Sequence, residues 1–273
     1  MDVGPLRDAL TVLLGLATGV LSGLFGVGGG VISQPGMRLL GMEPIVVIGT
    51  ALPVIIPGAA SGAVRYRREG LVDWPAVRAT IPAGLVAAVV GSVLAEVVPG
   101  DGHLLQLVTA GLLGLSSVRM GRAPSPVPPE EPLAETDAPE APAGAPEGSS
   151  TTVRCAAIGV VAGLLSGLLG IGGGVIMVPA FVQLARMEVK SAIATSLVCV
   201  GAFAVPGTIT HALLGHIDWR VAIALIIGVI PGARIGAALT IRATDRRLRT
   251  SVAAFLGLTA VLYAAGELRA LLG

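Results

Sequence analysis

Apolar residues run along this chain in long blocks separated by short polar clusters, and the blocks are too long for strands or for ordinary soluble helices. A bilayer core of about 30 Å takes roughly 20 helical residues. Eight stretches approach or exceed that length: 9–32, 45–64, 76–98, 104–120, 153–178, 191–213, 221–241 and 250–271. The pattern predicts an all-α, polytopic integral membrane protein. Between the fourth and fifth stretches the pattern fails: 123–150 is rich in Pro and Ala and carries acids at Glu130, Glu131, Glu135, Asp137, Glu140 and Glu147. Such a composition cannot bury enough apolar surface to fold and predicts a disordered linker. The expected organisation is a first membrane repeat over 1–122, a linker over 123–152 and a second membrane repeat over 153–273.

That the two halves are repeats follows from an almost constant offset. With a shift of 144, SGLFGVGGGVISQP (22–35) falls on SGLLGIGGGVIMVP (166–179), and Gly15 and Gly19 fall on Gly159 and Gly163. After one inserted residue the shift is 145 and places Thr50, Leu52, Gly62, Asp73, Trp74 and Gly91 on Thr195, Leu197, Gly207, Asp218, Trp219 and Gly236. Basic residues then test the orientation of the halves. Leaving out Arg234, which lies within a segment, the two sides of the membrane receive ten and seven basic residues if every segment crosses once, little bias. If 9–32 and 153–178 are instead broken at their glycines and return to the side they entered, the halves are inverted. The sides then receive thirteen basic residues against four (Arg7, Arg38, Arg220 and Arg269). The expectation is therefore inverted repeats with broken or re-entrant first segments, termini outside and the acidic linker in the cytoplasm.

Two kinds of glycine share these segments. Gly15, Gly19 and Gly23, Gly159, Gly163 and Gly167, and Gly228, Gly232 and Gly236 repeat every fourth residue and form ridges on which helix backbones approach closely. Gly28, Gly29 and Gly30, and Gly172, Gly173 and Gly174, are contiguous, so they face different ways around a helix and each costs about 1 kcal/mol of helix propensity relative to Ala. They predict an opened turn, whose free backbone groups are tolerated in a membrane only inside protein or beside a wet cavity. Helices starting near Val31 and Val175 would offer their N-terminal amides to an anion, the way discontinuous helices of transporters hold anionic groups. A purely structural hinge is the competing reading.

Other polar residues in apolar segments are secondary candidates for substrate binding. Ser22 and Ser166 precede the glycines by one turn and either reach a ligand or bond their own helix. Thr50, Thr195 and Ser196 sit at or beside matched positions, where helix-to-helix hydrogen bonds are the alternative. Gln34 faces Val178 in the other half, so its contacts are one-sided. Arg234 lies well inside a segment, where a charge is costly enough to suggest function; it meets an anion, snorkels to an interface or pairs with Glu96. His211 is a candidate for proton coupling, with an interfacial role as the alternative. Asp73-Trp74 and Asp218-Trp219 read as helix N-caps with an interfacial tryptophan.

Composition narrows the classes. Of the 273 residues 53% are hydrophobic and 13% charged, about half the charged content of a soluble domain. A net charge of +1 argues against nucleic acid as a partner. Cys155 and Cys199 show no metal-ligand or disulfide spacing, so neither a metal nor a disulfide framework is expected, no cofactor is implied, and both read as buried small apolar residues. With Asp2 and Asp8 flanking Arg7 there is no basic n-region, so a cleaved signal peptide is not expected. No Walker A sequence is present, which leaves a proton or ion gradient as the expected energy source.

The doubled SGLxGxGGGxxxxP, each copy followed by a T[AS]L in the next segment, resembles the sulfite exporter TauE/SafE family of membrane permeases over both halves. The resemblance implies secondary transport of a small sulfur-containing or organic anion, such as sulfite or a sulfonate, across the bacterial inner membrane. The implied partners are that anion and the lipid bilayer; the oligomeric state stays open, a homodimer included. An acceptor-only oxyanion suits the backbone donors and hydroxyls read above. Two other classes compete: an intramembrane serine hydrolase using Ser22 or Ser166 with His211, although GxxSG is not the GxSxG elbow, and a structural membrane protein that transports nothing.

Overall fold

The computed structural model describes residues 4–97, 103–122 and 147–272, which form helices joined by short turns. The helices are α1 (Pro5–Phe25), α2 (Gly30–Leu39), α3 (Pro44–Arg68), α4 (Trp74–Val97) and α5 (His103–Arg122). They are followed by α6 (Glu147–Leu169), α7 (Gly174–Gln183), α8 (Val189–Leu213), α9 (Trp219–Arg242) and α10 (Asp245–Leu272). The fold is all-helical among the described residues, as the apolar blocks predict. Among the described residues, seven helices are long and apolar enough to cross a membrane. Over the fourth expected segment, 104–120, the chain forms α5, a helix of 20 residues. Of the expected linker, 123–146 lies outside the described residues, whereas 147–152 opens α6.

Small residues set the helix pairing. A Cβ on Gly15, Gly19 or Gly23 of α1 would sit 2.3, 2.4 or 2.3 Å from the carbonyl oxygens of Leu225, Val229 and Ala233 of α9. Only glycine permits that approach. The contacts ascend together along both chains, so α1 and α9 run in the same direction. Gly159, Gly163 and Gly167 of α6 meet Thr80, Gly84 and Ala88 of α4 in the same way, at 2.3, 2.1 and 2.1 Å. The helix before each glycine run thus packs on the long helix of the opposite half. α5 and α10 run antiparallel along Gly121 and Ala253, Ser117 and Gly257, and Gly114 and Ala260.

The centre of the bundle is made by α3 and α8, the most enclosed of the long helices. Each is tied near its N-terminal end to the start of a helix from the other half. Thr50 Oγ1 accepts from the Asp218 amide at 3.0 Å, and Thr195 Oγ1 accepts from the Asp73 amide at 3.0 Å. Both aspartates are N-caps, as their sequence position predicts: Asp73 Oδ1 accepts from the Ala76 amide at 2.9 Å and Asp218 Oδ1 from the Val221 amide at 3.1 Å.

Candidate functional site

Each glycine run interrupts a helix. α1 stops at Phe25 because Gly26 turns left-handed, with φ 67°, and its amide closes back on the Ser22 carbonyl at 2.8 Å. That is the C-terminal glycine signal. Gly28 is left-handed as well, at φ 81°, and α2 starts at Gly30. In the second half Gly170, Gly172 and Gly173 take φ 66°, 83° and 70°, the Gly170 amide closes on Ser166 at 3.0 Å, and α7 starts at Gly174. After each interruption the short helix runs back along the long one. The guanidinium of Arg7, near the start of α1, donates to the Leu40 carbonyl just past α2 at 3.4 Å. Arg154, near the start of α6, donates to the Leu184 carbonyl just past α7 at 3.3 Å.

The two interruptions touch. A Cβ on Gly30 would lie 2.4 Å from the Gly170 carbonyl oxygen, and one on Gly174 would lie 2.5 Å from that of Gly26. Gly28 and Gly172 both abut Val200 of α8, at 2.8 and 2.7 Å from the position a Cβ would take. The N-terminal ends of α2 and α7 therefore converge between α3 and α8, in a region whose residues 26–31 and 170–175 are all buried.

Donors at this junction go unused. Among the described residues, the amides of Val27, Gly28, Gly29, Gly30 and Val31 meet no acceptor, and neither do those of Ile171, Gly172, Gly173, Gly174 and Val175. An unpartnered buried donor costs about 1–3 kcal/mol, and buried backbone donors are as a rule paired. Two hydroxyls add to the set: Ser166 Oγ and Thr18 Oγ1 are buried without a partner. Thr18 lies one turn before Ser22 on α1, and its methyl group would meet a Cβ on Gly29 at 3.0 Å. It went unpredicted because its counterpart at the 144 shift is Ala162, so no repeat marked it.

Several other expected site residues are engaged in the fold. Thr50 and Thr195 make the helix-to-helix bonds described above. Ser196 Oγ donates to the Gly26 carbonyl at 2.8 Å, which brings it to the first interruption as a backbone clasp. Gln34 Nε2 donates to the Leu169 carbonyl at 2.9 Å, while its Oε1 accepts from Tyr263 Oη at 3.0 Å. Its contacts are one-sided, as its pairing with Val178 implies, and they hold the second interruption from the first half. Ser22 is buried on the turn before the first interruption.

Arg234 stands apart from this junction. It is exposed, in line with the exposed Ile223 and Ile227 of α9, and shares a cavity with Arg65 and Arg68 at the end of α3. The side chain of Glu96, its alternative partner, lies outside the described residues. His211 is buried, with Nδ1 3.3 Å from Nδ1 of His216 and Nε2 without a partner. It makes no hydrogen bond to Ser22 or Ser166 among the described residues, so the hydrolase dyad is not assembled. Cys155 and Cys199 are free and buried.

Comparison with known proteins agrees with this architecture. The chain is similar to "Probable membrane transporter protein YunE" of Bacillus subtilis (strain 168), at 29% identity over 88% of this chain and 89% of that protein. It is 29% identical to a "Probable membrane transporter protein" of Xylella fastidiosa (strain 9a5c), over 85% of each chain. To "Probable membrane transporter protein MamO" of Magnetospirillum gryphiswaldense it is 33% identical over 84% of this chain, which spans 40% of that longer protein. No solved structure matches the chain. Residues 11–263 match the sequence pattern described as "Sulfite exporter TauE/SafE". With that match over most of its length and seven helices among the described residues long and apolar enough to cross a bilayer, this multi-pass bacterial membrane protein belongs to the TauE/SafE family of membrane transporters.

Proposed function

We propose that the chain is a secondary transporter for a small anion, sulfite, a sulfonate or a related sulfur-containing or organic anion, held at the junction of the two glycine interruptions. The observation that carries this reading is the paired set of unaccepted amides, 27–31 and 171–175, at the converging N-terminal ends of α2 and α7. Sulfite and sulfonates present acceptors only, so a cluster of N–H and O–H donors complements them without a fixed positive charge. Positive helix ends aimed at one point add to the attraction.

The proposed mechanism is alternating access by two inverted repeats, 1–122 and 153–273, whose first segments re-enter. Supporting it, α1 and α9 run in one direction while α6 pairs in the same sense with α4. The hairpins α1–α2 and α6–α7 each return toward their own starting ends through Arg7 and Arg154. Buried on all sides, the junction corresponds to an occluded state, from which rocking of one half against the other opens a path to either face. The side richer in arginine is the cytoplasm by the positive-inside rule. The family's description favours sulfite within the anion class.

Counterflow in proteoliposomes tests the reading. Vesicles loaded with unlabelled sulfite and holding the purified protein are expected to accumulate radiolabelled sulfite transiently, or a labelled sulfonate where that is the better substrate. Gly30→Val and Gly174→Val, which drive a side chain into the opposite interruption, slow the exchange about tenfold to a hundredfold. Lack of counterflow with sulfite and a panel of sulfonates and carboxylates, from protein that remains folded, refutes it.

A further inference from the structure

One end of the bundle carries a second cluster, separate from the glycine junction and independent of whether that junction binds anions. Arg65, Arg68 and Arg234 line a cavity of about 360 Å³ together with Ser61, Val64 and Glu69. None of the three arginines has an ion-pair or hydrogen-bond partner among the described residues. Ser61 is committed elsewhere, donating to the Ile230 carbonyl at 2.8 Å. Three cations against one carboxylate leave the cavity positively charged.

Its position says what the charge meets. Arg234 continues a stripe on α9 formed by Ile223 and Ile227, which are 56% and 59% exposed, and it is followed by the exposed Ile235. An exposed apolar stripe on a membrane-crossing helix faces acyl chains. A guanidinium set into it extends toward the headgroup layer. Arg65 and Arg68, in the last turn of α3, bring their charges to the same level. Val64, 49% exposed, supplies an apolar wall below them. A phosphate with an apolar tail fits this combination of charged rim and greasy wall better than a free anion does.

The other half provides an internal control. At the repeat shift the lining residues Ser61, Val64, Arg65, Arg68, Glu69 and Arg234 correspond to Pro206, Ile209, Thr210, Leu213, Leu214 and Val89. Ile209, Leu213, Leu214 and Val89 are exposed at 56%, 84%, 44% and 47%. The fold therefore accommodates apolar residues at these places, and the arginines are an addition confined to one end of the bundle.

We infer that Arg65, Arg68 and Arg234 form a binding site for the phosphate of an anionic phospholipid headgroup in the leaflet at that end. Guanidinium groups suit phosphate oxygens by their planar fork of donors, and each basic residue near an anionic lipid surface strengthens attraction about fivefold. A bound lipid there clamps α3 to α9, two of the helices that would move against each other during transport.

The test uses the full chain purified in detergent, stripped of lipid and titrated separately with phosphatidylglycerol, phosphatidylcholine and inorganic phosphate. Thermal unfolding and protein-bound phosphorus are the readouts. Phosphatidylglycerol is expected to raise the unfolding midpoint and to be retained in preference to phosphatidylcholine. The triple variant Arg65→Gln, Arg68→Gln, Arg234→Gln loses that preference, the triple lysine variant keeps most of it, and Arg78→Gln, at an exposed arginine near the start of α4 that does not line the cavity, keeps all of it. Equal retention of phosphatidylglycerol by wild type and the triple glutamine variant overturns the site. Stabilisation by inorganic phosphate that matches that by phosphatidylglycerol also overturns it, since the cavity would then be a vestibule for free anions.

Discussion

The two interruptions touch through Gly30 and Gly174, yet the carbonyls around them are held in different ways. At the end of α1, Gly23 accepts from Tyr66 Oη at 2.5 Å, Leu24 from Thr240 Oγ1 at 2.8 Å and Gly26 from Ser196 Oγ at 2.8 Å. At the end of α6, Leu169 accepts from Gln34 Nε2 at 2.9 Å, and Ser166 Oγ has no partner. None of the four clasps is duplicated: Tyr66, Thr240, Ser196 and Gln34 correspond to His211, Ala95, Ala51 and Val178. The backbone that presents donors is kept twice, while the side chains that fix it are particular to each half. Three side chains thus hold the first interruption, two of them from the other half, while Gln34 alone, also from the other half, holds the second.

The comparison breaks most visibly at the glycines. Gly30→Val and Gly174→Val each force a side chain against the opposing carbonyl, at overpacking costs of about 1–3 kcal/mol. Transport is expected to fall by about tenfold to a hundredfold in both, measured as initial counterflow rates. A large effect at one position and none at the other would mean that the loops are not equivalent. Next in size, Gln34→Val copies the second half's residue into the first and leaves the Leu169 carbonyl and the Tyr263 hydroxyl without partners. A loss of about 2–3 kcal/mol in chemical unfolding follows, with faster amide exchange at 170–175 than at 26–31.

Smaller and symmetric effects are expected from the threonines. Thr50→Val and Thr195→Val each remove the acceptor for a helix-starting amide and should cost about 1 kcal/mol apiece. Equal losses sharpen the two-fold comparison, and unequal ones show that one crossing contact dominates. Smallest is Ser196→Ala, which gives α8 the residue α3 carries at Ala51 and removes one of three clasps at α1. A loss of up to about 1 kcal/mol is expected there, read from the same unfolding curves.

Much of this was legible in the chain because it depends on periods and on glycine. Apolar block lengths gave the helices, spacing of four in Gly15, Gly19 and Gly23 gave the close-packed pairs, and the contiguous triplets gave the interruptions. The repeat also marked Thr50 and Thr195, whose hydrogen bonds come as a matched pair. What stayed hidden was one-sided or three-dimensional. Thr18 and Tyr263 have no polar counterpart at the repeat shift, and Tyr66 aligns with a histidine that does a different job. Arg234 drew attention as a charge within a span, but only the exposure pattern along α9 places it on an outer face rather than at the junction.

Selenite, the heavier congener of sulfite, offers the most direct view of the junction, because its selenium scatters anomalously. Crystals of the wild-type protein grown with selenite are predicted to show one anomalous peak placed so that the selenite oxygens reach the amides of 27–31 or 171–175, absent in Gly30→Val. A junction empty at selenite concentrations that drive counterflow, with the anion found elsewhere in the protein, would contradict the account.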